Sequence, residues 1–275
     1  MTLPNFIVIG PGKTGTTWLY KRLGEHPQVF LARNTKETVF FTEFYGRGLA
    51  WYEKFFAGSS GAVAAGEVSN TYFFSPEAPA RIARHLPQAK LIVLLRNPVE
   101  RVLSLYLFRR RNGHIRGSLE DTIADDPALL SQNFYDEHLT RYLSFFPRDQ
   151  IFVALFDDLR DDPANLLLRI WSFLGVDPLS SQPPAEVVLP ASMPRHAKSF
   201  SALKRFAVWL RRNDFHRLLS WGKTNRLLAW LLTKPIESKD RPQIRPQTLE
   251  RLVELYRPHI ANTAAIIGRD LSGWM

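Results

Sequence analysis

No cysteine occurs among the 275 residues, which excludes disulfides, a thiolate nucleophile and zinc–thiolate sites. The Asn-x-Ser/Thr sequon is missing too, so nothing points to an oxidising or glycosylating compartment. Long apolar runs are also lacking. The first, Phe6-Ile7-Val8-Ile9, stops at Gly10, and none approaches the ~20 residues of a membrane-spanning helix or the length of a secretory core. A soluble, cytoplasmic protein is expected. Among seven histidines no two have the spacing of a metal pair, and no metal is expected.

What the chain has in excess is positive charge. Lys and Arg number 36 against 26 acids, a formal net charge of +10, which favours anionic partners. The excess is concentrated: residues 198–234 hold nine Lys/Arg (198, 204, 205, 211, 212, 217, 223, 226 and 234) and one acid, Asp214, a net +8. Phe200, Leu203, Trp209, Leu218, Trp221 and Trp230 interleave with these cations at helical spacing. Three readings fit that texture: a solvated basic face of core helices, peripheral contact with a membrane surface or lipid, or a surface for an acidic glycan. A basic nucleic-acid-binding module is a fourth, but no recognisable nucleic-acid-binding motif accompanies the charge.

Along the chain, strand signals alternate with helix signals. Asn5–Ile9 reads as a buried strand and 16–25 as a helix; 62–68 and 76–86 repeat the pattern. Lys90–Leu95 (KLIVLL) is a fully apolar strand before a helix over 97–112, and 151–156 (IFVALF) precedes a helix over 163–174. Such alternation predicts an α/β fold: a three-layer, P-loop-like arrangement of a central parallel sheet flanked by helices. A helical C-terminal region follows, and residues 1–275 are read as a single domain. Pro178, Pro183, Pro184, Pro190 and Pro194 make the next stretch loop or lid. The last helix, 248–267, is expected to kink or split at Pro258.

The stretch GPGKTGTTWL, Gly10–Leu19, sits between the first strand and a helix N-terminus, where free N–H groups and the helix dipole attract anions. Small residues let the backbone wrap an anion and Lys13 adds a mobile charge. A Walker A loop would need glycine at position 7, which is Ile7, so the loop is short for a nucleoside-triphosphate cradle; an atypical kinase using ATP and magnesium stays open. Asp157 and Asp158 imitate a magnesium-binding pair or cap the next helix, the second being the commoner use of Asp.

A second constellation, RNPVERVLSLY, follows KLIVLL. Arg96 at the strand end suits a fork onto a phosphate. Ser104, eight residues on, lies about two helical turns away and can donate to the same anion.

With these two motifs in this order, the sequence resembles the PAPS-dependent sulfotransferases (PAPS is 3′-phosphoadenosine 5′-phosphosulfate), in the branch of the heparan sulfate N- and 3-O-sulfotransferase domains and their bacterial relatives. GPGKTGTTWL resembles that family's 5′-phosphosulfate loop and RNPVERVLSLY its 3′-phosphate motif. KETVFF (36–41) and GEVSNTYFFSP (66–76) resemble its acidic-aromatic segment and next strand and turn. The resemblance implies that Gly12, Lys13, Thr14, Gly15, Thr16 and Thr17 hold the 5′-phosphosulfate. Arg96 and Ser104 would hold the 3′-phosphate, and Arg195 and Lys198 would close over the nucleotide. Lys13 and Glu37 would be catalytic, Glu37 as general base, with no metal required and adenosine 3′,5′-bisphosphate (PAP) as the product. Taken alone, Glu37 reads more readily as a surface acid paired with Lys36 than as a base, and the resemblance reverses that preference. Val68 and Val39 stand where some glycan sulfotransferases carry lysine and histidine, which leaves the acceptor open among glycan, lipid and small metabolite; His114 is a candidate substitute.

Overall fold

The computed structural model describes residues 3–111, 113–115, 117–179, 192–194, 233–235 and 244–275. The basic stretch 198–234 and the residues Arg195 and Lys198 lie outside the described residues, apart from backbone at 233–235. Five strands, β1 (Phe6–Gly10), β2 (Val29–Leu31), β3 (Ala64–Val68), β4 (Lys90–Leu95) and β5 (Ile151–Leu155), form one sheet in the order β2-β3-β1-β4-β5. Every pairing in it is parallel. The parallel arrangement explains why all five residues of β1 and of β3, Glu67 included, are buried, because helices must cover both faces of such a sheet.

Among the described residues the α-helices in chain order are α1 (Thr16–Gly24), α2 (Leu49–Glu53), α3 (Ala78–His85), α4 (Pro98–Arg111), α5 (Leu119–Asp125), α6 (Ala128–Ser131), α7 (Tyr135–Leu143), α8 (Phe156–Asp161), α9 (Pro163–Leu174) and α10 (Pro246–Ile267). The chain divides into two compact units. The first comprises Met1–Asn97, Phe134–Val188 and Arg257–Met275; the second comprises Pro98–Asn133 and Leu189–Tyr256.

In the first unit, α1 and α9 bury Trp18, Leu19 and Leu23, and Leu166, Ile170 and Trp171, in one core with Phe6, Val8, Ile92 and Leu94 of the sheet. In the second, the buried Arg101 of α4 donates to Asn133 Oδ1 at 2.5 Å and to the Gln132 carbonyl, so this arginine anchors the α6 end and is not a surface charge. Two short strands, β6 (Ser192–Pro194) and β7 (Thr233–Pro235), pair antiparallel.

Sequence and structure differ in places. β2 was not expected, because a three-residue, half-buried edge strand carries too little apolar pattern to be seen. Short helices α5, α6 and α7 fill a region that showed no clear period. The expected split at Pro258 is corrected: α10 runs through it as one helix. Pro258 is exposed, while Leu252, Tyr256, Ile260, Thr263 and Ile267 repeat a buried stripe along the helix.

Candidate active site

Because the strands are parallel, the segments after β1, β2, β3 and β4 leave the sheet at the same edge. The connections that leave the adjacent parallel strands β1 and β4 run to opposite sides of the sheet, one toward β2 and the other to β5, which makes their junction the switch point where open α/β sheets bind ligands.

The loop after β1 makes a cradle. A Cβ on Gly10, whose φ is +104°, would meet the Asn70 carbonyl oxygen at 2.6 Å, and one on Gly15 (φ +97°) would strike the Leu159 side chain. Only glycine allows this close approach. Lys13 itself has a φ of 74°. Thr14 is buried and its hydroxyl donates to the Pro11 carbonyl at 2.7 Å, so it closes the turn and has its backbone left for an anion. Gly15 caps α1 without a side chain, and the first turn of α1 holds no acid. The N–H groups of that turn are therefore uncapped by any side chain, a good fit to a phosphate-bearing donor.

The loop after β2 brings Lys36 and Glu37 to this cradle. Lys36 Nζ lies 3.1 Å from Thr17 Oγ1, 3.3 Å from Thr16 Oγ1 and 3.9 Å from Glu37 Oε1. From the end of β3, Asn70 Nδ2 donates to Glu37 Oε1 at 2.5 Å, while Asn70 Oδ1 is buried without a hydrogen-bond partner. Both the Lys36–Glu37 pair and a position beside the phosphate loop are thus real features of Glu37.

What holds Glu37 there is a buried carboxylate, Glu67 of β3. Its two oxygens accept from Thr38 Oγ1, Ser69 Oγ and Tyr52 Oη, each at 2.6 Å, from Tyr72 Oη at 3.1 Å and from the Thr38 N–H at 3.2 Å. Burial pushes the Glu67 carboxyl above its ordinary range, opposed by these hydrogen bonds. Burial and the neighbouring Glu67 charge push Tyr52 and Tyr72 well up as well, which keeps both as donors. Next to Thr38, the buried Val39 adopts a φ of +48°, a strained conformation for a β-branched residue. The aromatic anchors Phe40 and Phe41 then pack on Tyr52, with ring centroids 4.5 and 5.3 Å away.

After β4, the Arg96 guanidinium stands over the Phe156 ring at 4.5 Å. Its carbonyl accepts from Tyr135 Oη at 2.9 Å, which fixes the backbone at the strand end. Asp158 accepts the Leu155 N–H and a fork from Arg269 at 2.6 and 2.7 Å, and Asp157 accepts from Trp274 Nε1. A cation on these two acids would have to displace Arg269. Ser104 is half-buried on α4, in the second unit. His114 belongs to that unit too, where with Leu105, Phe108, Arg109, Ile115 and Asp126 it lines a cavity of about 670 Å³.

Sequence reading missed three residues of the site. Lys36 was weighed only as a partner for Glu37, and Asn70 and Glu67 lay unremarked in GEVSNTYFFSP. An acid inside a run destined for a buried strand was the one available signal, since such a carboxylate must be paired.

A glycine-rich strand-to-helix cradle at the switch point of a parallel sheet, with a lysine in the loop and a carboxylate beside it, is a candidate α/β site for a phosphate-bearing ligand. The family is specified by comparison: the sulfotransferase domain model matches residues 3–207. The chain belongs to this family and carries a PAPS-dependent sulfotransferase domain. Human bifunctional heparan sulfate N-deacetylase/N-sulfotransferase 3 is 34% identical over 197 residues, covering 64% of this chain and 23% of its own length. The Bos taurus enzyme of the same kind, number 2, is 36% identical, covering 64% and 22%. The chain thus spans about a quarter of these relatives. The solved sulfotransferase from Alicyclobacillus acidocaldarius shares the fold, with a TM-score of 0.73 at 24% identity over 100% of this chain and 99% of that one. Mouse sulfotransferase SULT7A1, solved with PAP, has a TM-score of 0.52 at 14% identity over 96% and 86%. The kinase and nucleic-acid-binding readings give way to this family.

Proposed function

We propose that the chain transfers a sulfuryl group from PAPS to a hydroxyl or amine of a carbohydrate, lipid or small-molecule acceptor, with Glu37 as the general base. The observation that carries this reading is the junction at the cradle: Glu37 is tied to Asn70, which packs against the Gly10–Gly12 backbone, and through Lys36 to Thr16 and Thr17. A carboxylate this near an anion cradle stands within reach of an acceptor whose proton must leave as the donor bond breaks. The names of the relatives favour a carbohydrate amine among the acceptors.

In the proposed step the acceptor atom attacks sulfur in line, its proton passes to Glu37, and the bond from sulfur to the 5′-phosphate oxygen breaks with its electron pair on that oxygen. Lys13 and the amides of Gly15, Thr16 and Thr17, with Gly12 allowing close approach, would hold that charge, so PAP leaves as product. Arg96 would bind the 3′-phosphate. Ser104 keeps the same role on the strength of the RNPVERVLSLY spacing alone, and Arg195 and Lys198 on the resemblance alone. One sulfotransferase domain over residues 1–275 and a cytoplasmic location, with or without membrane contact through 198–234, are part of the same proposal; among the described residues no helix is long and apolar enough to cross a membrane.

Calorimetric titration with PAP in the absence of magnesium, beside ATP with magnesium, tests the donor. PAP binding that weakens on Arg96→Ala supports the reading. Preference for ATP with magnesium overturns it.

A further inference from the structure

The Lys36 side chain bridges two parts of the site, the start of α1 and Glu37. It starts on the loop after β2, and its ammonium ends against the first two residues of α1 while remaining 3.9 Å from Glu37. Its side chain is only 19% exposed. Two threonine hydroxyls and the Glu37 carboxylate stand within 3.1–3.9 Å of its ammonium. An anion between the helix N-terminus and Glu37 would add a charged hydrogen-bond acceptor beside it.

Geometry also says which part of the donor that anion is. For in-line transfer, the sulfur lies between the leaving phosphate oxygen and the incoming acceptor atom. The uncapped first turn of α1 suits the phosphate side, and Glu37 suits the acceptor side. A cation within 3.1–3.9 Å of groups at both ends stands beside the group in flight. We infer that Lys36 is a second catalytic lysine, whose ammonium donates to the sulfuryl oxygens of the bound donor, while Lys13 and the loop amides serve the phosphate. This rests on the sulfotransferase reading above. Lys36 would leave the threonine hydroxyls for the stronger, charged acceptor when the donor arrives.

The test exploits the fact that PAP lacks the sulfuryl group that PAPS carries. Wild type, Lys36→Met and Lys36→Arg are titrated calorimetrically with each nucleotide, without acceptor. Lys36→Met is expected to weaken PAPS about tenfold, and PAP by no more than about twofold, as befits loss of one charged hydrogen bond. Lys36→Arg should recover most of the PAPS affinity. Equal effects on both nucleotides, or no effect on either, overturn the inference while leaving the donor reading intact. Failure of wild type to bind either nucleotide overturns the donor reading and this inference with it. Should Lys36→Met not fold, Lys36→Gln reads the same ratio without the charge.

Discussion

The side-chain amide of Asn70 donates to Glu37 Oε1 at 2.5 Å, linking the second residue after β3 to the residue proposed as base on the loop after β2. The same Asn70 packs against Gly10 and Gly12 of the phosphate loop. One residue therefore sets both the shape of the cradle and the aim of the carboxylate beside it.

Glu37→Gln should lower sulfuryl transfer by ~10²–10⁴-fold, the range for loss of a general base, with PAP affinity changed by less than about twofold. Steady-state assay and calorimetry on one preparation check this; near-normal turnover would remove Glu37 from the role.

Lys13→Ala should reduce turnover by ~10²–10³-fold, the effect of losing one preorganised charge at the leaving oxygen. Unlike Glu37→Gln, it should also weaken PAP, because the 5′-phosphate remains in the product.

Asn70→Ala frees the Glu37 carboxylate without touching its chemistry. Transfer is expected to fall by roughly tenfold or more, as displacement of a reacting group by about 1 Å does, while the shape of the pH–rate profile is kept. Loss of fold, read by thermal melting, would mean that Asn70 serves the loop and not the base.

Glu67→Gln should destabilise the protein by about 1–3 kcal/mol, because the amide nitrogen would face hydroxyl and N–H donors that now share two carboxylate oxygens. The melting temperature and transfer rate should fall together, since the segment from Thr38 to Phe41 carries Glu37.

The Asp158–Arg269 pair should be lost in acid. Burial acts to raise the Asp158 carboxyl, but the Arg269 hydrogen bonds, the Leu155 N–H and nearby arginine charge hold it below its ordinary value. Arg269 is raised in turn, first by its bonds to Asp158. A depressed carboxyl stabilises the fold above the unfolded-state pKa, and that stability disappears as pH falls through the folded value. Arg269→Met should therefore cost about 1–2 kcal/mol near pH 7, discounted for partial exposure, and the gap from wild type should close below about pH 4. Denaturant titration at both pH values measures it.

Much was legible in advance, for local reasons. KLIVLL and Phe6–Ile9 are strands because unbroken apolar runs next to glycine or helix signals suit a sheet covered on both faces. The turn through Lys13 and Gly15 was readable because a strand–glycine–helix junction is encoded within a few neighbouring residues. Pro258 misled because a helix held by a buried stripe can run through a proline on its exposed side, and exposure is a tertiary property.

The amino-acid sequence by itself determined the alternating α/β order, the cradle between β1 and α1 and the arginine at the end of β4, since each is encoded within a few neighbouring residues. Only tertiary structure decided that Lys36, Glu37 and Asn70 converge on that cradle and that Glu67 holds them there. Those partners come from three strands whose order, β2-β3-β1, is not their order in the chain, and long-range pairing of that kind is set by how buried surfaces and buried polar groups satisfy one another.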